Sequence, residues 1–496
     1  MRGKLKNLAG QTVIYGLTNI AGRFINYLLT PLLTGIFEPS SFGIISQMYS
    51  YIAILLAILT FGMETSLFNF SRKSHSPEKV FATAQNFVTF LALLFFAFAC
   101  VFAEPIAVIL KYPGRSDYVI MFSLIIVLDA MSAVPLSKLR QLNKPAWFSA
   151  ANIASVLINF GVVCFFLLYC REAKLSGNES SLVRALYNPD MGVSYVFIAN
   201  IAGSAVKLLM LLPVQFRSGF SGSFTLLREM LRYASPLAVA AVCYIINEKA
   251  DIIFLTYMLP ETEANEQTGI YAACYKLALF MTIFIQAFRF AAEPFFFSLE
   301  KEKDSRETYA VIMHYFILFC LCIFLVISMY VDIFRHFIRN ETYWVGLGVV
   351  PILLMANLFS GIYQNLSMWY KLSGQTHFGM YFSIVGAALT IGLNVLLIPV
   401  LGYYGSAWAT LGCYICISIV SYLFAQKYYK IPYRTTSALF YICLSILIYK
   451  GFEWLKSDEG GWKNHLTATV GLLIFAATIT IREGMFTKLK RTFQRR

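Results

Sequence analysis

Between Tyr244 and Phe297 two long apolar segments flank a short acidic loop, and six charged residues interrupt the segments: Glu248, Lys249 and Asp251 in the first, Lys276, Arg289 and Glu293 in the second. A guanidinium or ammonium group held where water is scarce can replace the hydration of a phosphate-like anion, and a carboxylate there can take up a proton or neutralise the cation. Such groups are costly at membrane depth and mark functional pathways by default. Spacing sorts them. Thr282, Gln286, Arg289 and Glu293 recur at steps of four, three and four, and so share one helix face. Near the N-terminus Tyr15, Asn19, Arg23, Asn26 and Thr30 form a second polar stripe on an apolar run. Two such stripes point to a shared wet cavity. Arg289 also has a blander reading, a side chain reaching out to the membrane interface from near the end of its run. Arg23 lies deeper, where that is harder. Lys276 and the Glu248/Lys249/Asp251 cluster are expected at similar depth, and read equally well as structural ion pairs or as functional groups. Asp129 sits mid-run with no partner near it in sequence, held neutral by burial or carrying a proton. The candidates for binding a substrate in such a cavity are Asn19, Arg23, Asn26, Lys249, Lys276, Gln286 and Arg289. The candidates for ion coupling or gating are Glu64, Asp129, Glu248, Asp251 and Glu293.

The elements that must position these groups are membrane helices. The 496 residues are 58% hydrophobic and 13% charged, against about 45–50% and about 25% in soluble domains. The net charge of +14 is spread over short connections rather than gathered in a basic domain, so it sets topology and no nucleic-acid partner is expected. Ten cysteines lie mostly in apolar runs and read as small core residues. Cys413 and Cys416 have redox or metal spacing but lie within an apolar run and lack a second pair.

At about 20 apolar residues per span the chain holds about fourteen transmembrane helices. The first is read as uncleaved, and the thirteenth, which carries Lys450, is the least apolar. Lys and Arg in the connections on the side of the N-terminus number about 25 against about 10 on the other, which puts both termini in the cytoplasm. The chain also echoes itself. An external loop leads to Gly43-Ile44 and again to Gly269-Ile270, and the following helices end in Glu64 and Glu293. A second echo joins RQLNKPAWF to KLSGQTHF. The fold class expected is an all-α polytopic membrane protein. It comprises an N-lobe over 1–217, a C-lobe over 218–430 and two appended helices with a basic tail over 431–496. The six-helix lobes are related by a pseudo-two-fold axis along the membrane normal.

Enzymatic chemistry is poorly supplied. The five histidines lie near expected span ends or in loops without paired ligand spacing, and neither a Walker sequence nor a G-x-S-x-G elbow is present. No cofactor is expected, and the driving force falls to an H+ or Na+ gradient, the membrane potential or the substrate's own gradient.

Three segments carry a resemblance: LTPLLTGIFEPSSFGIISQMYSY, then ADIIFL with TGIYAACYKLA and QAFRFAAEPFFF, then KLSGQTHFGMYFSIVGAALTIGLNVLLIPVLGYYGSAWAT. Together they resemble bacterial polysaccharide exporters of the multidrug/oligosaccharidyl-lipid/polysaccharide superfamily, above all Wzx-type oligosaccharide-lipid flippases of O-antigen and exopolysaccharide synthesis. The resemblance implies a twelve-helix core around a central cavity, often with two extra helices, in the bacterial inner membrane. The implied cargo is an undecaprenyl-diphosphate-linked oligosaccharide, delivered to polymerase or export machinery. The implied diphosphate ligands are Arg23 and Arg289, with Lys276 behind them. The family's Asp-Arg pattern is broken here, because Ile252 follows Asp251; Lys249 is the available substitute. A peptidoglycan lipid-precursor flippase and a drug/cation antiporter of the same superfamily remain open, although carboxylates rather than arginines would suit the antiporter's cavity.

Overall fold

The computed structural model describes residues 21–22, 24–73, 76–217, 222–299, 305–457 and 461–484. Among these residues the secondary structure is helical throughout, with no strand. In chain order the helices begin with α1 (Phe24–Ile36), α2 (Pro39–Thr60), α3 (Met63–Lys73), α4 (Pro77–Val101) and α5 (Ala103–Ile109). Next come α6 (Ser116–Gln141), α7 (Pro145–Cys164), α8 (Arg171–Leu175), α9 (Ser181–Leu186), α10 (Ser194–Arg217) and α11 (Phe224–Met258). Then α12 (Glu261–Leu299), α13 (Ser305–Met329), α14 (Val331–Phe334), α15 (Val350–Leu366) and α16 (Met368–Leu372) follow. The last are α17 (His377–Leu401), α18 (Tyr403–Tyr428), α19 (Thr435–Leu455) and α20 (Trp462–Arg482).

Twelve helices among the described residues are long and apolar enough to cross a membrane. The first and seventh of the fourteen expected spans are not among them. α1 is described only from Phe24, and the 35-residue α11 carries Arg228, Glu229, Arg232, Glu248, Lys249 and Asp251, which lower its apolarity despite its length. Burial separates the spans by role. The apolar centre of Glu341–Leu372 is 67% buried and forms core, whereas that of Pro145–Leu175 is only 17% buried and leaves its apolar side chains for lipid.

Packing groups the described residues into two compact units, one reaching to Ala273 and including Thr376–Thr410, the other holding Cys274–Gln375 and the residues from Leu411 onward. In the first, α11 runs along α17 and against α2, while α10 packs on α7 and α6, and α6 on α4. Its tightest crossing joins α2 to the start of α12. A Cβ on Gly43 would come within 2.0 Å of the Asn265 carbonyl oxygen, and one on Gly269 within 1.8 Å of that of Pro39. Only glycine allows this backbone-to-backbone approach, and the two glycines are those of the repeated Gly-Ile pair. Beside the crossing, Tyr112 bonds both Gln47 and Asn265, and the Tyr51 and Tyr257 hydroxyls meet at 3.0 Å. In the second unit α13 packs between α15 and α19, and α20 closes against α19 and α13. A buried cluster of Ala292, Phe296, Tyr309, Ala310, Met368 and Ile431 ties α12, α13, α16 and the segment before α19 together.

Candidate functional site

The polar stripe of α12 reaches its strongest surroundings in the second unit. Arg289 is exposed, and its Nη1 donates a 3.4 Å hydrogen bond to Gln364 Oε1 on α15. No ion pair of Arg289 occurs among the described residues; the carboxylate nearest in sequence on its face, Glu293, has a side chain outside them. Arg289 lines a recess with Gln364, Asn365 and Lys371, floored by Phe288, Phe296 and Met368. Two cations and two amides thus share one opening, a composition that suits a polyanion. Lys371 was not among the residues that the sequence singled out. Its signal was available: Lys371 follows Gln364 by seven residues, two helical turns, and α16 resumes the helix after the break at Ser367.

Next to the recess lies an apolar groove of about 260 Å³ between α13, α15, α18 and α19, lined by side chains such as Ile317, Phe359, Ile362, Leu366, Ile419 and Leu439. His314 and Arg434 supply its charged or titratable edge. A small cavity between them shares Phe296, Asn365 and Met368 with the recess, and Met313 and Tyr433 with the groove. A small recess with two cations in its lining therefore neighbours an apolar groove, with the small cavity between them. That arrangement fits an amphiphile with an anionic head.

The other candidates fall as follows. Asn19 and Arg23 lie outside the described residues. Asn26 is exposed on α1, but Thr30, a turn further along the same stripe, is buried, so that stripe is not wet along its whole length. Gln286 is half-buried, one turn from Arg289. Glu64 is latched to the end of α6, its Oε2 accepting from Arg140 Nη2 and Ser137 Oγ, each at 3.0 Å. Asp129, without a neighbour in sequence, has one in space: Lys207 Nζ on α10 lies 2.7 Å from its Oδ1. Close by, Asn200 donates to the Tyr49 hydroxyl at 2.9 Å, extending the polar cluster. Asp251 is buried, and its Oδ2 accepts a 2.7 Å bond from the Tyr271 hydroxyl, a partner the charge pattern could not reveal because Tyr271 is neutral. Glu248 and Lys249 are half-buried on α11, as is Lys276 in the other unit. Asn357 on α15 donates to the Ala278 carbonyl of α12 at 2.9 Å, an inter-helix bond. Cys413 is buried and Cys416 exposed, both free.

Comparison with known proteins bears on this geometry. Residues 8–300 match the family model described as polysaccharide biosynthesis protein. No curated protein matches the chain. Among solved structures, the lipid II flippase MurJ in an inward closed conformation is similar with a TM-score of 0.70 at 13% identity, covering 95% of this chain and 99% of that one. An inward-facing multidrug resistance MATE family transporter has a TM-score of 0.61 at 13% identity, with 83% and 94% covered. The MATE multidrug transporter DinF-BH has a TM-score of 0.62 at 14% identity, with 86% and 96% covered. These neighbours share the fold of the chain and are transporters or flippases.

Proposed function

The chain belongs to the polysaccharide biosynthesis protein family, and we propose that within it the chain is a flippase for undecaprenyl-diphosphate-linked oligosaccharides. The observation that carries this reading is the recess of Arg289, Lys371, Gln364 and Asn365 set beside the apolar groove of α13, α15, α18 and α19. A diphosphate carries about two negative charges and cannot cross bare hydrocarbon. Arg289, by forked hydrogen bonds, and Lys371, as a point charge, replace its hydration. The prenyl chain gains little by leaving lipid for the groove, because lipid is as apolar as the groove. The head therefore supplies the affinity, and the groove supplies orientation. Sugars occupy the remaining polar surface around Arg289, with Gln286 among their donors.

The chain works in the bacterial inner membrane with both termini in the cytoplasm, and takes cargo from the cytoplasmic leaflet. Two six-helix halves, 1–217 and 218–430, rock to give alternating access. With the inside negative, each net negative charge moved outward gains about 2.3 kcal/mol per 100 mV. A drug cation would meet Arg289 and Lys371 with repulsion, which disfavours an antiporter of cationic drugs.

A peptidoglycan lipid precursor has the same head and tail chemistry, so the same recess and groove suit it. The test uses purified protein in liposomes with fluorescent undecaprenyl-diphosphate oligosaccharide, and unlabelled peptidoglycan precursor as competitor. Outward movement of the oligosaccharide lipid that Arg289→Ala abolishes supports the proposal. Movement of the peptidoglycan precursor alone turns the assignment to the second reading, and movement of neither rejects both.

A further inference from the structure

The apolar groove of the second unit ends in charge. Two of its lining side chains face outward, Ile419 at 53% and Leu439 at 60% exposure, and in a membrane such side chains meet lipid. The groove is therefore an open furrow on the lipid-facing surface, and hydrocarbon fills it whether or not cargo is present, because an empty furrow forfeits dispersion contacts along its walls. At the end where α13 and α19 begin and α20 stops, Arg434 lines it. The Arg434 Nη1 lies 3.6 Å from Glu483 Oε2, and the Glu483 side chain is 7% exposed against 54% for Arg434. The other carboxylate oxygen, Oε1, meets His314 Nε2 at 3.0 Å and accepts the Tyr441 hydroxyl at 3.2 Å. Glu483 is thus a fixed anchor that orients the guanidinium and leaves its outer face open.

Four more cations are exposed around the same end: Arg306 at the start of α13, Lys427 at the end of α18, Lys430 before α19 and Arg482 at the end of α20. Arg306 lies 4.6 Å over the Tyr429 ring and donates to the Lys430 carbonyl at 3.5 Å, which holds it beside that lysine. Arg482 lies 4.0 Å over Phe440. Neither a ring face nor a carbonyl cancels a full positive charge. Against these five cations the same described helix ends offer two carboxylates, Glu307 and Glu483. A bias of cations toward one side of the membrane accounts for their presence at this end. It does not account for one of them lining the mouth of an apolar furrow, anchored by a buried carboxylate.

We propose that the groove is a binding site for an anionic phospholipid of the surrounding membrane, its acyl chain lying between α13, α18 and α19 and its phosphate on Arg434 and Lys430. A chain gains little by exchanging bilayer for groove, so the headgroup decides which lipid stays. Each Lys or Arg near the phosphate favours an anionic head over a zwitterionic one by about fivefold. In the orientation proposed above, the site opens to the cytoplasmic leaflet. It holds whatever the cargo is. A prenyl chain that uses the same groove displaces the phospholipid first, which makes occupancy of the cargo path sensitive to lipid composition.

The test places the purified full-length protein in phosphatidylcholine nanodiscs with a trace of lipid carrying a photoactivatable acyl chain, either phosphatidylglycerol or phosphatidylcholine. Labelled peptides of α13, α18 and α19 are quantified. Phosphatidylglycerol is expected to label them at least about fivefold more than phosphatidylcholine, a preference that high salt weakens. Lys430→Gln and Arg434→Gln each lower the phosphatidylglycerol signal by about fivefold and leave the phosphatidylcholine signal unchanged. Lys430 is exposed, so its variant carries the test even where Arg434→Gln, which strips Glu483 of a partner, does not fold. Equal labelling by the two heads in the native protein, or a preference that Lys430→Gln leaves intact, overturns the site. Excess neutral prenol is expected to displace the phosphatidylglycerol. Labelling that keeps its head preference and resists prenol retains the phospholipid site and removes the groove from the proposed cargo path.

Discussion

Arg289 and Lys371 differ in what they can offer one anion, and substitutions separate the two. Arg289→Ala removes charge-assisted bonds worth about 1.5–3 kcal/mol each, so transport of a diphosphate lipid in liposomes is expected to fall at least about tenfold. Arg289→Lys recovers part of this, because the charge returns without the fork. Lys371→Ala is expected to weaken binding of the lipid diphosphate, measured in nanodiscs, with a smaller effect than Arg289→Ala. Asp129 and Lys207 make a different case, since each is the other's counter-ion at 2.7 Å and both side chains are mostly buried. Lys207→Met alone strands a buried carboxylate and is expected to cost about 3–5 kcal/mol. The double variant Asp129→Asn, Lys207→Met recovers most of that loss in thermal unfolding if the pair is structural; a double variant no more stable than the single one assigns Asp129 another partner. For Glu483 the sign of pH dependence follows from its lowered pKa. Its stabilising contacts are fully present above the ordinary glutamate value of 4.5 and are lost only as pH falls through the lower folded value. The contribution of this carboxylate is therefore expected to be constant in thermal unfolding near neutrality.

Among the helices, the α2–α12 crossing makes the sharpest demand on sequence. Gly43→Ala and Gly269→Ala each place a methyl carbon about 2 Å from a backbone carbonyl oxygen, which no side-chain rotation can relieve. Each is expected to lower the unfolding temperature or open the crossing, read out by reaction of a cysteine placed at Ser46, half-buried on α2, with a membrane-impermeant reagent. Native-like melting together with native-like labelling in both variants would show that the approach is not needed. α11 shows the opposite kind of helix. Its charges keep it from being recognised by apolarity, and α17 and α2 cover it instead. The bond from Tyr271 to Asp251 shows how a neutral donor helps such a helix satisfy a buried carboxylate.

For the whole molecule, the charge of the cargo sets the thermodynamics whatever the path. Without a coupled ion, an inside-negative potential of about 100 mV favours the outer leaflet by about fiftyfold for each net negative charge carried. Exchange with one proton per cycle would add one more charge of the same sense, together with a dependence on the proton gradient. Leaflet ratios measured with potential and pH gradient set separately are expected to follow the potential; a ratio that also follows the pH gradient would show such an exchange.

Helix content and the position of twelve spans were written in the chain itself, because crossing hydrocarbon demands about 20 apolar residues in a row and a backbone satisfied within its own segment. The Gly-Ile echo was legible too, as was the α12 stripe that ends in the recess. The meeting of Gly43 with Gly269 was not, since a repeat states likeness and not contact. Nor were the partners. Asp129 found Lys207, Asp251 found a neutral tyrosine, and Arg289 shares its opening with Lys371, which the sequence did not single out. His314 looked like a residue at a span end and became the buried partner of Glu483, 169 positions away. Local hydropathy fixes where a helix lies along the chain. Which faces of different helices meet is decided only by their packing, and the chemistry of a membrane site is a property of those meeting faces.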